Sequence, residues 1–474
     1  MIFTAIRWPL YAGLPALLLG GCASFSTDGG FGPIAERTQS QIGKDLVWSQ
    51  SISDQEKIDQ RVATLLSNQA LGVEEAVQVA LFNNRGLQAN FAELGISEAE
   101  LVQTGRLANP SFSMSRASSG TGAAREFAIE QSLTFNIISL LTLPQATAIE
   151  QRRFEQTQRM VTLDVLRLAY DTRKAYFTAL AADESKRYAG QVLQSAEVGA
   201  ELAQRMTKAG NWSKLQQARE QGFRADAILT AARAEQASVA AHERLARLMG
   251  LTTKQYQLPE RLPDLPKTPD DLPNVEQSAM DERLDLQAIR LHTQALAKNL
   301  DLSQATRFIN VLELGPTRAL EGASDATYKT GYEISFELPL FDWGGAKVAK
   351  AQSIYMQALN QAAQAAINAR SEVREAYRGY HASYNIARHY RDEIVPLKKR
   401  VSEENQLRYN GMFISVFELL ADARSQITSV NASIEALRDF WLAKADLDMT
   451  MLGKPNQTSI GASAMSADAG DNQH

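Results

Sequence analysis

Five histidines, His242, His292, His381, His389 and His474, are the chain's main candidates for acid–base work or metal binding, and no two stand at a ligand spacing. Each reads as a surface or packing residue. The only cysteine, Cys22, rules out a disulfide within one chain and leaves a cysteine metal site without ligands. Trp343-Gly344-Gly345 lacks the lysine and the order of elements that a phosphate-cradling loop requires. Asn211-Trp212-Ser213 formally spells a glycosylation acceptor, but in a segment that reads as a turn. Glu418 and Asp422 are four residues apart, which sets two carboxylates on one helix face. Such a pair can bind cations weakly, or be only a solvated surface. Nothing is arranged for nucleophilic attack or proton transfer, so no enzyme and no cofactor are expected. The net charge of −5 carries no basic footprint for a nucleic-acid partner.

Cys22 sits where a different chemistry is possible. Arg7 precedes the apolar run WPLYAGLPALLL, and the run ends in Leu19-Gly20-Gly21-Cys22. That ending resembles the bacterial lipobox, in which the thiol receives a diacylglyceryl group and the chain is cut before the cysteine. Residues 1–21 are then a lipoprotein signal peptide, and 22–70 a lipid-anchored leader of weak periodicity. Three acyl chains, at ~0.8 kcal/mol per buried methylene, exceed what stable anchoring needs. An ordinary secretory signal that happens to hold a cysteine is the alternative. Ala23 in place of an aspartate favours, by the same resemblance, the outer membrane over the inner one. No later stretch approaches the ~18 apolar residues of a membrane helix.

The elements that position these residues occur twice. NRGLQA at 84–89 matches RLDLQA at 283–288, and Arg106-Leu107-Ala108-Asn109 matches Arg307-Phe308-Ile309-Asn310. Arg173-Lys174-Ala175-Tyr176 matches Arg374-Glu375-Ala376-Tyr377, Gly210 matches Gly411, and Leu248-Met249-Gly250 matches Met451-Leu452-Gly453. An offset near 200 held in order over the whole span means two structural repeats, 71–250 and 278–453. Between them, 251–277 carries five prolines from Pro259 to Pro273 and reads as an extended connector. Residues 454–474 read as a disordered tail.

Each repeat has the order helix, strand pair, very long helix, turn, helix. Ala351, Ala358 and Ala365, interleaved with Tyr355, Ala362, Ala369 and Ala376, form a heptad seam along the long helix of the second repeat. Val161, Val165, Leu168, Ala175 and Ala179 do the same in the first, with Thr172 as the polar exception. About 65 helical residues at 1.5 Å each make a rod of roughly 95–100 Å. Such rods alone suit a dimeric stalk equally well. The strand pairs, about 110–136 and about 307–340, argue against a stalk. In YKTGYEISFELPL, Tyr328 through Leu340 alternate apolar and polar over the full stretch. In the first repeat Phe127, Ile129, Leu133 and Phe135 alternate with polar residues, and Gln131 breaks the row. The pattern fits two hairpins on a soluble sheet, or membrane strands of ~9–11 residues each. Four strands cannot close a barrel, and lipid tolerates no open edge, so membrane strands imply several chains pooling them.

With these features in hand, residues 71–453 resemble the outer-membrane efflux protein (TolC-like) family. FELPLFDWGGAKVAKAQ at 336–352 is similar to its strand-to-helix passage, RYNGMFISVFELLADAR at 408–424 to its tip turn, and Asn109-Pro110 to its helix-to-strand passage. The resemblance implies an α+β membrane protein, a homotrimer with a long α-helical coiled-coil barrel and transmembrane β-barrel strands. It implies an exit duct for drugs or metal ions, with a periplasmic adaptor (membrane fusion) protein, an inner-membrane efflux pump and outer-membrane lipid as partners. By resemblance, Gly210, Ser213, Gly411 and Ser415 mark the adaptor-docking tips, and Glu418 and Asp422 the tunnel-mouth acids. Both glycines are expected to reverse the chain in left-handed conformations. The family's acid in the first tip helix is replaced by Gln216. A duct for protein secretion and a non-channel periplasmic coiled-coil lipoprotein are the other readings.

Overall fold

The computed structural model describes residues 24–67, 70–121, 126–252, 256–309, 311–322 and 326–455. The expected signal peptide, Cys22 and nearly all of the expected tail lie outside the described residues. In chain order the elements are α1 (Gly32–Ile42), α2 (Ile52–Leu66), α3 (Val73–Asn83), α4 (Arg85–Thr104), β1 (Ser111–Ser119), β2 (Glu126–Asn136), α5 (Ile137–Lys208) and α6 (Lys214–Leu248). The second half repeats the order with α7 (Val275–Glu282), α8 (Leu284–Ala305), β3 (Leu312–Gly322), β4 (Lys329–Phe336), α9 (Gly345–His389), α10 (Val395–Asn410) and α11 (Val416–Leu452). Among the described residues no helix is long and apolar enough to cross a membrane.

The 72 residues of α5 are one continuous helix, about 108 Å long at 1.5 Å per residue. Its partner in the second repeat is interrupted by a π-helical turn, Tyr390–Ile394, between α9 and α10. Pro396 explains the interruption, since it offers no N–H and its ring crowds the carbonyl four residues back. One wider turn absorbs the clash without ending the helix. Ala351, Ala358 and Ala369 of the alanine seam are buried. Thr172 lies on the buried face of α5 and donates its hydroxyl to Leu168 O at 2.7 Å, so the polar exception is satisfied within its own helix.

The chain divides into two compact units. One gathers 24–34, 91–161 and 285–366 and contains the sheet. Its four strands are antiparallel in the order β1-β2-β3-β4, and β1 and β4 are open edges among the described residues. The passage into α9 depends on Gly344. Its φ is +72°, and a Cβ there would lie 2.4 Å from Arg307 O. The expected strand to Leu340 stops at Phe336, because its partner strand ends at Leu312 and Pro339 has no N–H to pair. Likewise β3 begins at Leu312, five residues after the start expected at 307.

The other unit gathers 35–90, 162–284 and 367–455. Its largest core joins Ile58 and Val62 of α2, Ala80 of α3, Leu180 of α5 and Leu245 of α6. The leader is thus folded rather than slack. The connector is also packed: Tyr256, Leu262 and Leu265 are buried, and Tyr384 donates to Lys267 O at 2.6 Å. Trp441 Nε1 donates to Pro263 O at 3.1 Å. The prolines keep the connector extended, and side chains of α9 and α11 satisfy carbonyls that no ladder can reach.

Candidate functional site

The two helix hairpins, α5–α6 and α10–α11, end in turns of the same design. In the first, Gly210 N–H donates to Thr207 O and Asn211 N–H to Met206 O, both at 3.0 Å. In the second, Met412 N–H donates to Tyr409 O and Phe413 N–H to Arg408 O, both at 2.9 Å. This paired pattern closes a helix through one residue in the left-handed region. Gly210 takes that position with φ +78°. The second turn corrects the sequence expectation: Gly411 has φ −81°, and Met412 occupies the left-handed position with φ +59°. The second repeat carries its glycine one residue too early for the motif. Three residues after each left-handed position stands a helix-capping serine. Ser213 exchanges hydrogen bonds with Gln216 at the start of α6, and Ser415 with Glu418 at the start of α11.

The capping boxes align the repeats at an offset of 202 through the tips, which pairs Asp422 with Glu220. The acid missing at Gln216 therefore lies one turn further along. Glu220 is only 3% exposed, and its carboxylate accepts from Arg424 of α11 at 2.8 Å. The Arg424 guanidinium also lies over the Phe223 ring, with Cζ 4.3 Å from its centroid. Sequence reading missed both partners. The capping-box offset was the signal that could have found Glu220.

Glu418 and Asp422 share the helix but not the environment. Glu418 is exposed and spends one carboxylate oxygen on the backbone N–H of Ser415 at 3.2 Å. Asp422 is half-buried, with one oxygen shielded and without a hydrogen-bond partner among the described residues. At the turn itself Met412 is 93% exposed and Phe413 84%, whereas Trp212 in the first turn is buried. The two tips therefore present different surfaces.

Of the described histidines, His242 and His381 pack against aromatic rings, whereas His292 and His389 are exposed. His242 is buried, with Nε2 2.8 Å from Asp183 Oδ2 and Nδ1 3.2 Å from the Tyr256 hydroxyl. Burial, with Glu243 and Asp183 nearby, pushes the pKa of that hydroxyl well above its ordinary value. His474 and Cys22 lie outside the described residues.

The sheet gathers its large apolar side chains on one face and its carboxylates on the other. Paired positions put Phe112, Leu133, Phe135, Leu314, Tyr332, Ile334 and Phe336 on one face. The opposite face carries all five strand carboxylates, Glu126, Glu130, Glu313, Glu321 and Glu333, with Lys329 among them. The apolar face is uncovered, with Tyr332, Ile334 and Phe336 all exposed. Uncovered Leu338, Leu340, Phe341 and Trp343 continue it beyond the end of β4.

No family model and no curated protein matches the chain by sequence. Solved structures do match. The outer-membrane channel OprN aligns at 16% identity with a TM-score of 0.69, covering 84% of this chain and 92% of that one. CusC, from a study of folding and transmembrane channel formation, aligns at 17% and 0.68, covering 81% and 92%. The open state of the MtrE outer-membrane channel of Neisseria gonorrhoeae aligns at 18% and 0.62, covering 81% and 91%. The chain has the fold of these channels.

Proposed function

We propose that this chain belongs to the TolC-like outer-membrane efflux family and forms, as a homotrimer, the exit duct of a tripartite efflux system for drugs or metal ions. One observation carries the reading: a four-stranded sheet with a bare apolar face, an acidic opposite face and two open edges. In water such a face invites aggregation, and in lipid its open edges cost several kcal/mol per unpaired group. Three copies joined edge to edge, β4 of one to β1 of the next, remove both problems and give twelve strands around an acid-lined lumen. The paired helices continue the duct through the periplasm. The tips at Gly210, Ser213, Gly411 and Ser415 meet the periplasmic adaptor, which holds the inner-membrane pump. Glu418 and Asp422 lie near the entrance, and an acylated Cys22 adds a lipid anchor. A duct contacts its cargo by field and width, so the reaction is passive passage without catalysis.

Detergent-extracted protein is expected to run as a heat-sensitive trimer and to conduct ions in planar bilayers. Ile334→Lys puts a charge on the apolar face, at a cost of about 2–4 kcal/mol in mid-membrane, and is expected to block insertion. Ser335→Lys, one residue along on the polar face, is expected to insert. A monomer that keeps its β-structure in detergent, or equal insertion of both variants, rejects the reading.

A further inference from the structure

The apolar face of the sheet carries two charges, Arg116 on β1 and Arg318 on β3, and no acid. Every strand carboxylate is on the other face, and neither arginine has a carboxylate partner among the described residues. Each guanidinium instead lies over a ring at the same end of the sheet. Arg116 Cζ is 5.3 Å from the centroid of Phe127, and Arg318 Cζ is 3.8 Å from that of Tyr328. A stacked guanidinium is held in place by its face while its N–H donors stay free around its edge.

Their level on the sheet is equally specific. Gln131, Arg318 and Thr330 form one row across β2, β3 and β4, and Arg116 lies one row further toward the β1–β2 and β3–β4 connections. In the opposite direction the face holds Tyr332, Ile334 and Phe336, about 20 Å of strand at 3.3 Å per residue. Exposed Leu340, Phe341 and Trp343 follow where the helices begin. A barrel's apolar band is ~25 Å tall and ends in aromatic girdles. The arginines thus mark one boundary of the band and Phe341 and Trp343 the other. An arginine is costly in mid-membrane and tolerated at the boundary, where it meets headgroups.

Resting on the reading of this sheet as a membrane crossing, we propose that Arg116 and Arg318 form a binding site for the phosphates of an outer-leaflet lipid headgroup. The helices leave from the opposite end of the strands, so the arginine end faces the cell exterior. The guanidinium fork matches phosphate geometry and gives charge-assisted hydrogen bonds. The two arginines are two strands apart, about 10 Å sideways at 4.8 Å per strand, and one row apart in height. That separation suits a headgroup with two phosphates better than one with a single phosphate.

The test is native mass spectrometry of the full-length protein in mild detergent, titrated with diphosphoryl lipid A, monophosphoryl lipid A or inorganic phosphate. The wild type is expected to hold the diphosphoryl lipid about tenfold more tightly than the monophosphoryl form, one paired guanidinium's worth. Arg116→Gln/Arg318→Gln is expected to erase that difference, and Arg116→Lys/Arg318→Lys to keep part of it. Millimolar inorganic phosphate is expected not to compete. Equal affinity for both lipids, an unchanged preference in the Gln variant, or displacement by free phosphate overturns the site. Should the double variant fail to assemble, Arg318→Gln against Arg318→Lys decides on the same readout. Vesicles of phosphatidylethanolamine and diphosphoryl lipid A separate the two levels of failure. Wild-type protein that does not insert overturns the membrane reading along with the site. Protein that inserts and ignores the phosphates overturns the arginine site alone.

Discussion

Arg424 of α11 crosses to Glu220 of α6, guanidinium to carboxylate at 2.8 Å, and joins the tip helices of the two repeats. The pair is lopsided, with the Glu220 side chain 4% exposed and that of Arg424 35%. Removing Arg424 strands a buried carboxylate at a cost of about 3 kcal/mol, whereas removing Glu220 leaves a cation that can turn toward water. Arg424→Gln is therefore expected to loosen the hairpins more than Glu220→Gln. The double variant is expected to recover part of the loss. Amide hydrogen exchange at 214–230 and 416–430 reads the effect, and equal protection in all three variants would count against a latch.

The tip turns differ in strain. Met412 in the left-handed region costs of order 1 kcal/mol, which a glycine there would largely relieve. Met412→Gly is expected to stabilise the turn by about 0.5–1 kcal/mol and Gly210→Val to destabilise it by at least as much. A Cβ at Gly411 would lie 2.7 Å from the Phe413 ring, so Gly411→Trp must displace an exposed aromatic without distorting the backbone. Trimer yield is expected to stay normal in that variant, while adaptor crosslinking and resistance to cargo fall. Full crosslinking with full resistance would remove the tip as docking surface.

The leader is held by charge as well as packing. Burial opposes the Glu74 carboxylate, but Lys44 Nζ at 2.9 Å and Arg173 at 3.1 Å prevail and hold its pKa below the ordinary glutamate value. A lowered folded pKa gives stability that is present above the unfolded value, near 4.5, and lost as pH falls through the folded one. Proteolysis within 43–51 is expected to accelerate below pH 4.5 in the wild type. In Glu74→Gln it is expected to be faster at neutral pH and nearly flat with pH. The same pH profile in both proteins would reject the tie.

Lipidation at Cys22 predicts a mature protein whose first peptide begins at Cys22 and carries three acyl chains by mass spectrometry. Cys22→Ser is expected to leave the protein unlipidated and unprocessed. Only four residues on, Ser26 N–H donates at 2.7 Å to buried Glu98 of α4, so an acylated Cys22 would be tied to the fold by a short stretch of chain. An intact signal peptide or a free thiol at residue 22 would refute the assignment.

The sequence by itself determined most of what repeats or alternates. The heptad seam, the twofold order of elements, the polar and apolar rows of β4 and the serine caps are local patterns, set by side-chain period and by which groups a helix end leaves unpaired. Tertiary structure decided what depends on a neighbour. Strand β4 ends at Phe336 opposite Leu312, where β3 begins, and α2 persists because Ile58 and Val62 are buried in one core with Leu180 and Leu245. Met412 rather than Gly411 bears the left-handed turn because Ser415 and Glu418 set the start of α11 and the chain must meet it. Glu220 and Arg424 are 204 residues apart, and a pair at that separation exists only once two hairpins bring their helices together.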